Sequence, residues 1–83
     1  MGIEDLIEEA KFEMLAGQYE DAEKFLLRAL KQDKDNVEAL FDLGVLYEIT
    51  HKQFKALECF QKVLEINPEH KEAREHVDKL AEF

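Results

Sequence analysis

The chain has no serine and no tryptophan, and only one threonine, one cysteine, one proline and three glycines among its 83 residues. With Thr50 and Cys59 as its remaining hydroxyl-bearing aliphatic and thiol nucleophiles, it offers little to covalent acyl or phosphoryl chemistry. Cys59 falls between Glu58 and Phe60 in a helical stretch. Such surroundings raise a thiol pKa rather than activate it, so Cys59 reads as a small packing residue. A lone cysteine forms no internal disulfide, and the fold therefore does not depend on an oxidising compartment. No apolar run reaches membrane-spanning length and no signal-peptide layout is present. Met1-Gly2 opens like a myristoylation signal, but Leu6 stands where that signal requires Ser or Thr. These features point to a soluble, cytoplasmic chain with no membrane partner.

Metal and cofactor chemistry is equally thinly provided for. His70 and His76 are six residues apart, on different faces of a helix, and no second cysteine joins them or His51. His76 reads more simply as a surface helix pair with Glu72, four residues earlier. No glycine loop suited to cradling phosphate occurs. Carboxylates are abundant, but catalytic ones need a pocket that shifts their pKa. No enzymatic activity and no cofactor is expected.

Basic charge is scarce as well. Eleven Lys and Arg face twenty Asp and Glu, for a net charge of −9. Nucleic acid, which needs a basic footprint, is excluded as a partner. The imbalance is concentrated in residues 1–23, which hold eight acids and one base, Lys11. That segment is either a solvated end face or an acidic patch that attracts a basic partner.

What the chain does have is an internal period of 34 residues. Laid over itself at that offset, Ala22 meets Ala56, Leu26 meets Phe60, Arg28 meets Lys62, Ala29 meets Val63 and Leu30 meets Leu64. Glu4, Glu38 and Glu72 also coincide, as do Phe12, Leu46 and Leu80. Apolar residues recur at three- and four-residue spacing nearly throughout, with no period-two segment. A period of this length filled with helical patterning marks a stacked helix–turn–helix array. Helices are expected at about 3–15, 19–32, 37–50, 53–66 and 70–82. Gly17 suits the first tight turn, its counterpart His51 the third, Asp35 and Asn36 the cap of the third helix, and Pro68 the exit from the fourth.

The second copy reads Leu40-x-x-Leu43-Gly44-x-x-Tyr47, then Ala56-x-x-x-Phe60, then Pro68. This resembles the tetratricopeptide repeat, with Leu40 where that family usually has Trp. The first copy keeps Gly17, Tyr19, Ala22, Leu26 and Ala29, while Ala10 replaces the Gly and Glu9 and Glu13 replace the core Leu and Tyr. The resemblance implies an all-α fold, a right-handed superhelical array of antiparallel helix pairs with five helices. Its repeats fall at about 3–36 and 37–70, with a polar capping helix at about 70–82. The whole chain, 1–83, then forms one domain. A glycine inside a helix costs about 1 kcal/mol relative to Ala. By resemblance, Gly44 lets the paired helix approach, with Ala56 opposite.

In the family the first helix of each repeat lines a concave groove that takes extended peptides or helices. On the third helix, Phe41, Val45 and Ile49 form a stripe distinct from Leu40, Leu43, Leu46 and Tyr47. By resemblance the former lines the groove with Ile7, Lys11, Met14 and Leu15, and Glu38, Asp42 and Glu48 form an acidic rim. The other reading has Phe41 and Val45 covered by neighbouring helices or by the cap. Of the residues that would clamp a terminal carboxylate in this family only Lys11 is basic, and none is Asn. The expected ligand is thus an apolar or amphipathic protein segment with basic flanks, bound by an adaptor or scaffold. The alternative is a structural module whose exposed end faces drive homo-oligomerisation.

Overall fold

The helical periodicity resolves, in a computed structural model that describes residues 1–82, into five α-helices: α1 (Ile3–Leu15), α2 (Tyr19–Gln32), α3 (Val37–Ile49), α4 (Gln53–Ile66) and α5 (Lys71–Leu80). Three of the five have the expected bounds. The third stops one residue early, where the Thr50 hydroxyl donates to the Leu46 carbonyl oxygen at 3.0 Å. The fifth starts one residue late because His70 is its cap, and it ends at Leu80.

The two turns inside the helix pairs are copies of one another. Gly17 (φ 77°) and His51 (φ 63°) both adopt the left-handed conformation. After Gly17, the Gln18 amide donates back to the Glu13 carbonyl at 2.8 Å; after His51, the Lys52 amide donates to the Tyr47 carbonyl at 2.7 Å. Each bond satisfies a carbonyl that the helix end leaves free. Glycine reaches this conformation without penalty and histidine does not.

The loops between the pairs are copies too. Asp33 Oδ1 accepts from the Asp35 amide at 3.1 Å, and Asn36 Oδ1 caps α3 by accepting from the Ala39 amide at 2.9 Å. Thirty-four residues later, Asn67 Oδ1 accepts from the Glu69 amide at 3.3 Å and His70 Nδ1 caps α5 by accepting from the Ala73 amide at 3.1 Å. Of the two residues expected to cap α3, Asn36 does so. Asp35 instead faces Lys62 across 4.0 Å.

α1 pairs with α2, α3 with α4, and α5 lies against α4, giving a right-handed superhelical array of antiparallel pairs. The first pair buries Leu6, Ile7 and Ala10 against Ala22, Leu26 and Ala29. The second buries Leu40, Leu43, Leu46 and Tyr47 with Ala56, Phe60 and Val63. Glu9 is exposed and Glu13 half-buried, so α1 packs without them. Between the pairs, the Tyr47 hydroxyl donates to Glu23 Oε2 at 2.7 Å and joins α3 to α2.

Gly44 does mark a close approach, and the atoms nearest to it belong to the Phe60 ring. A Cβ built on Gly44 would lie 2.8 Å from both Cε1 and Cζ of Phe60. Ala56, one turn earlier on α4, is fully buried. The spacing of the motif locates the contact; the reach of the aromatic ring back along α4 decides which residue makes it.

Candidate functional site

The first helices of successive pairs run side by side, and their side chains meet in cross-helix ties. Lys11 Nζ on α1 pairs with Glu38 Oε2 on α3. Glu48 on α3 faces His76 Nδ1 through one carboxylate oxygen and Lys79 Nζ, at 3.2 Å, through the other. Lys11, Val45 and Lys79 are one register position repeated at 34 residues, so α1, α3 and α5 contribute to a common face.

The ten residues singled out from the sequence divide into three groups. Lys11, Met14 and Leu15 of α1 and Glu38, Asp42, Val45 and Ile49 of α3 retain accessible surface. Leu15 is 91% exposed and Ile49 42% exposed. These two also occupy equivalent register positions, one turn beyond Lys11 and Val45. Ile7 is only 4% exposed and belongs to the core between α1 and α2. Phe41 and Glu48 are turned towards α5 and the residue that precedes it. The Phe41 ring meets Phe60 edge-on (5.4 Å between centroids), stacks on His70 (5.1 Å) and meets the edge of His76 (5.6 Å).

His76 is the residue whose role the sequence concealed. It stacks on Phe60 with ring centroids 4.4 Å apart and 12° between planes, while its Nδ1 faces Glu48. It therefore works across α3, α4 and α5, not as the surface pair with Glu72 expected from four-residue spacing. Spacing along one helix reveals only partners on that helix. The available signal was register: Asp42, thirty-four residues earlier, also lies on the half-buried side of its helix.

The acidic rim is unequally neutralised. Hydrogen bonding to Glu38 raises the Lys11 pKa, with burial opposing and nearby Asp42 and Glu38 charge adding to it. Asp42 has a buried Oδ2 that accepts no hydrogen bond among the described residues. Its pKa is pushed from the ordinary 3.8 up to about 6, chiefly by desolvation, with Lys11 opposing and Glu38 adding. Elsewhere, burial pushes the Cys59 thiol up to about 11, with Glu58 adding to the effect. At neutral pH it is a poor nucleophile.

Asp42 yields a pH prediction whose sign can be worked out. Between 3.8 and about 6 the folded state holds a proton on Asp42 that the unfolded state has released. Stability therefore falls as pH rises through that window, and the full cost is present above it. Asp42→Asn is expected to stabilise the chain at pH 7 by about 1–2 kcal/mol after allowing for partial solvent screening. The advantage should vanish near pH 4. Urea denaturation of both chains across that range checks this: a difference that stays constant with pH sinks the reading.

A family model described as Tetratricopeptide repeat matches residues 4–46, just over half of the chain, and a second of the same description matches residues 37–70. The chain is similar to Tetratricopeptide repeat protein 14 of Mus musculus, 41% identical over 61 residues, covering 74% of this chain and 8% of that protein. It is also similar to RANBP2-like and GRIP domain-containing proteins 1 and 2 of Homo sapiens, 36% identical over 74 residues in each case, covering 89% of this chain and 4% of theirs. The chain thus spans less than a tenth of the length of these curated relatives.

Proposed function

The chain belongs to the tetratricopeptide repeat family, and from that premise we propose that it is an adaptor module binding an apolar or amphipathic segment of a partner protein along the face shared by α1 and α3. Tetratricopeptide repeats mediate protein–protein interactions and are typically non-catalytic. The observation that carries the finer reading is the pair Leu15 and Ile49. Large apolar side chains stand exposed at the same register of successive first helices, where packing of the helix pairs does not require them. Met14 and Val45 extend this apolar strip as half-buried neighbours.

Polar surroundings narrow the ligand. Lys11 is already paired with Glu38, and Glu48 with Lys79, while Asp42 keeps part of its surface accessible although its Oδ2 is buried. A terminal carboxylate would meet acid and hydrocarbon here, an unfavourable desolvation. A segment with apolar anchors and basic flanks suits both parts of the strip. The repeats run about 3–36 and 37–70, followed by the α5 cap, and the module works in the cytoplasm, where its single thiol needs no oxidised partner. No helix of the described residues is long and apolar enough to cross a membrane.

Val45→Lys tests the proposal. Lysine can extend its ammonium into water from a half-buried site, so the melting temperature is expected to stay close to that of the parent. A peptide selected on the parent chain should bind at least about tenfold more weakly, a loss of about 1.4 kcal/mol. If Val45 is instead closed off from solvent, the substitution buries an unpaired charge and the chain loses several kcal/mol. That result would rule out the strip as a binding surface at its centre.

A further inference from the structure

A second surface lies at the opposite edge of the array and shows itself through the internal repeat. Phe12, Leu46 and Leu80 occupy one register position in α1, α3 and α5. Leu46 is 1% exposed and Leu80 6% exposed, whereas Phe12 is 66% exposed. The position seven residues earlier behaves alike: Ala39 and Ala73 are fully buried, while Asp5 is exposed. The helices that carry the buried copies pack against the second helix of the preceding pair, α3 against α2 and α5 against α4. Tyr19 of α2 borders the same pocket as Leu46, and its counterpart Gln53 of α4 the same pocket as Leu80. Among the described residues no helix lies over the corresponding face of α1, where Met1, Asp5, Glu8, Glu9 and Phe12 border a groove of about 350 Å³.

We propose that this face of α1 docks an amphipathic helix of a partner protein, with apolar residues against Phe12 and lysine or arginine at its flanks. The shape argument comes from the chain itself, which twice covers this register with an antiparallel helix. The charge argument selects the partner. Asp5, Glu8 and Glu9 surround the aromatic side chain, and the one base in the first 23 residues, Lys11, is engaged by Glu38. A helix like α2, whose first turn carries Glu20 and Asp21, would place like charges in contact. A cationic helix meets complementary charge, which favours both encounter and specificity. This surface is separate from the strip around Val45 and does not rest on it.

The test uses the intact chain, isotope-labelled for NMR, and a blocked leucine–lysine peptide patterned as an amphipathic helix, with a leucine–glutamate peptide as control. Amide shifts are expected at Asp5, Glu9 and Phe12 with the lysine peptide, weakening as salt is raised. Phe12→Ala and Glu9→Lys, both at exposed positions, should each weaken the binding read at the α1 amides about tenfold or more. Equal binding of the glutamate peptide, unchanged affinity in either α1 variant, or shifts confined to Val45 and Ile49 would each overturn the proposal. So would a concentration-dependent dimer of the chain alone that Phe12→Ala abolishes, because the occupant would then be a second copy.

Discussion

Gly44→Leu is expected to lower the melting temperature by about 8–16 °C, corresponding to about 2 kcal/mol in a domain of this size. A single Cβ at this position already comes within 2.8 Å of the Phe60 ring. That ring has nowhere easy to go: it is fully buried, with Phe41 at its edge and His76 stacked on its face. Overpacking costs about 1–3 kcal/mol for modest additions, and the leucine branch lies at its upper end. The gain in helix propensity over glycine, about 1 kcal/mol, offsets part of this. Combining Gly44→Ala with Phe60→Leu should cost less than the two substitutions separately, since the smaller side chain makes room for the new methyl group. Thermal melts of the four chains decide it. A Gly44→Leu chain as stable as its parent would show that α3 and α4 are free to separate there.

Removing the chain from residue 70 onward is expected to have the larger effect. α5 buries Ala73 and Leu80 and covers one side of Phe60 through His76. It also supplies both partners of Glu48, whose side chain is only 15% exposed. Burial of a single Leu side chain stabilises by about 1.5–3 kcal/mol, and the uncovered phenylalanines add to that loss. Against a total stability of about 4–12 kcal/mol for a chain of this length, the truncated protein should melt more than about 10 °C lower and associate through its exposed aromatic face. Sedimentation and calorimetry on the truncated chain would refute this if it remained monomeric with an unchanged transition.

The sequence made the helices legible because their determinants are local. Asn36 is a short acceptor at the right offset from Ala39, and Gly17 stands where the chain must turn left-handed. The period did the rest for His51, which takes the role of Gly17; His70, expected as the first residue of the fifth helix, instead caps it as Asn36 caps α3. Contacts between helices were less legible. That the Phe60 ring is the nearest neighbour of Gly44 depends on ring length and on the offset between α3 and α4, neither of which periodicity encodes. The pairing of His76 with Glu48 joins residues 28 apart, a separation fixed by the superhelix and absent from any single-helix pattern. Ile7 shows the same limit, since its turn position alone does not reveal that it is buried in the core.

The paired loops carry a consequence for the shape of the whole array. Residues 33–36 and 67–70 bend through matching side-chain acceptors at matching offsets. The turn from the first helix pair to the second and the turn onward to α5 are therefore closed by the same pattern of side-chain hydrogen bonds, from Asp33 and Asn36 in one and Asn67 and His70 in the other. Loss of the Asn36 cap is expected to cost about 1 kcal/mol at the start of α3. One turn pattern thus separates the first helix pair from the second and the second from α5.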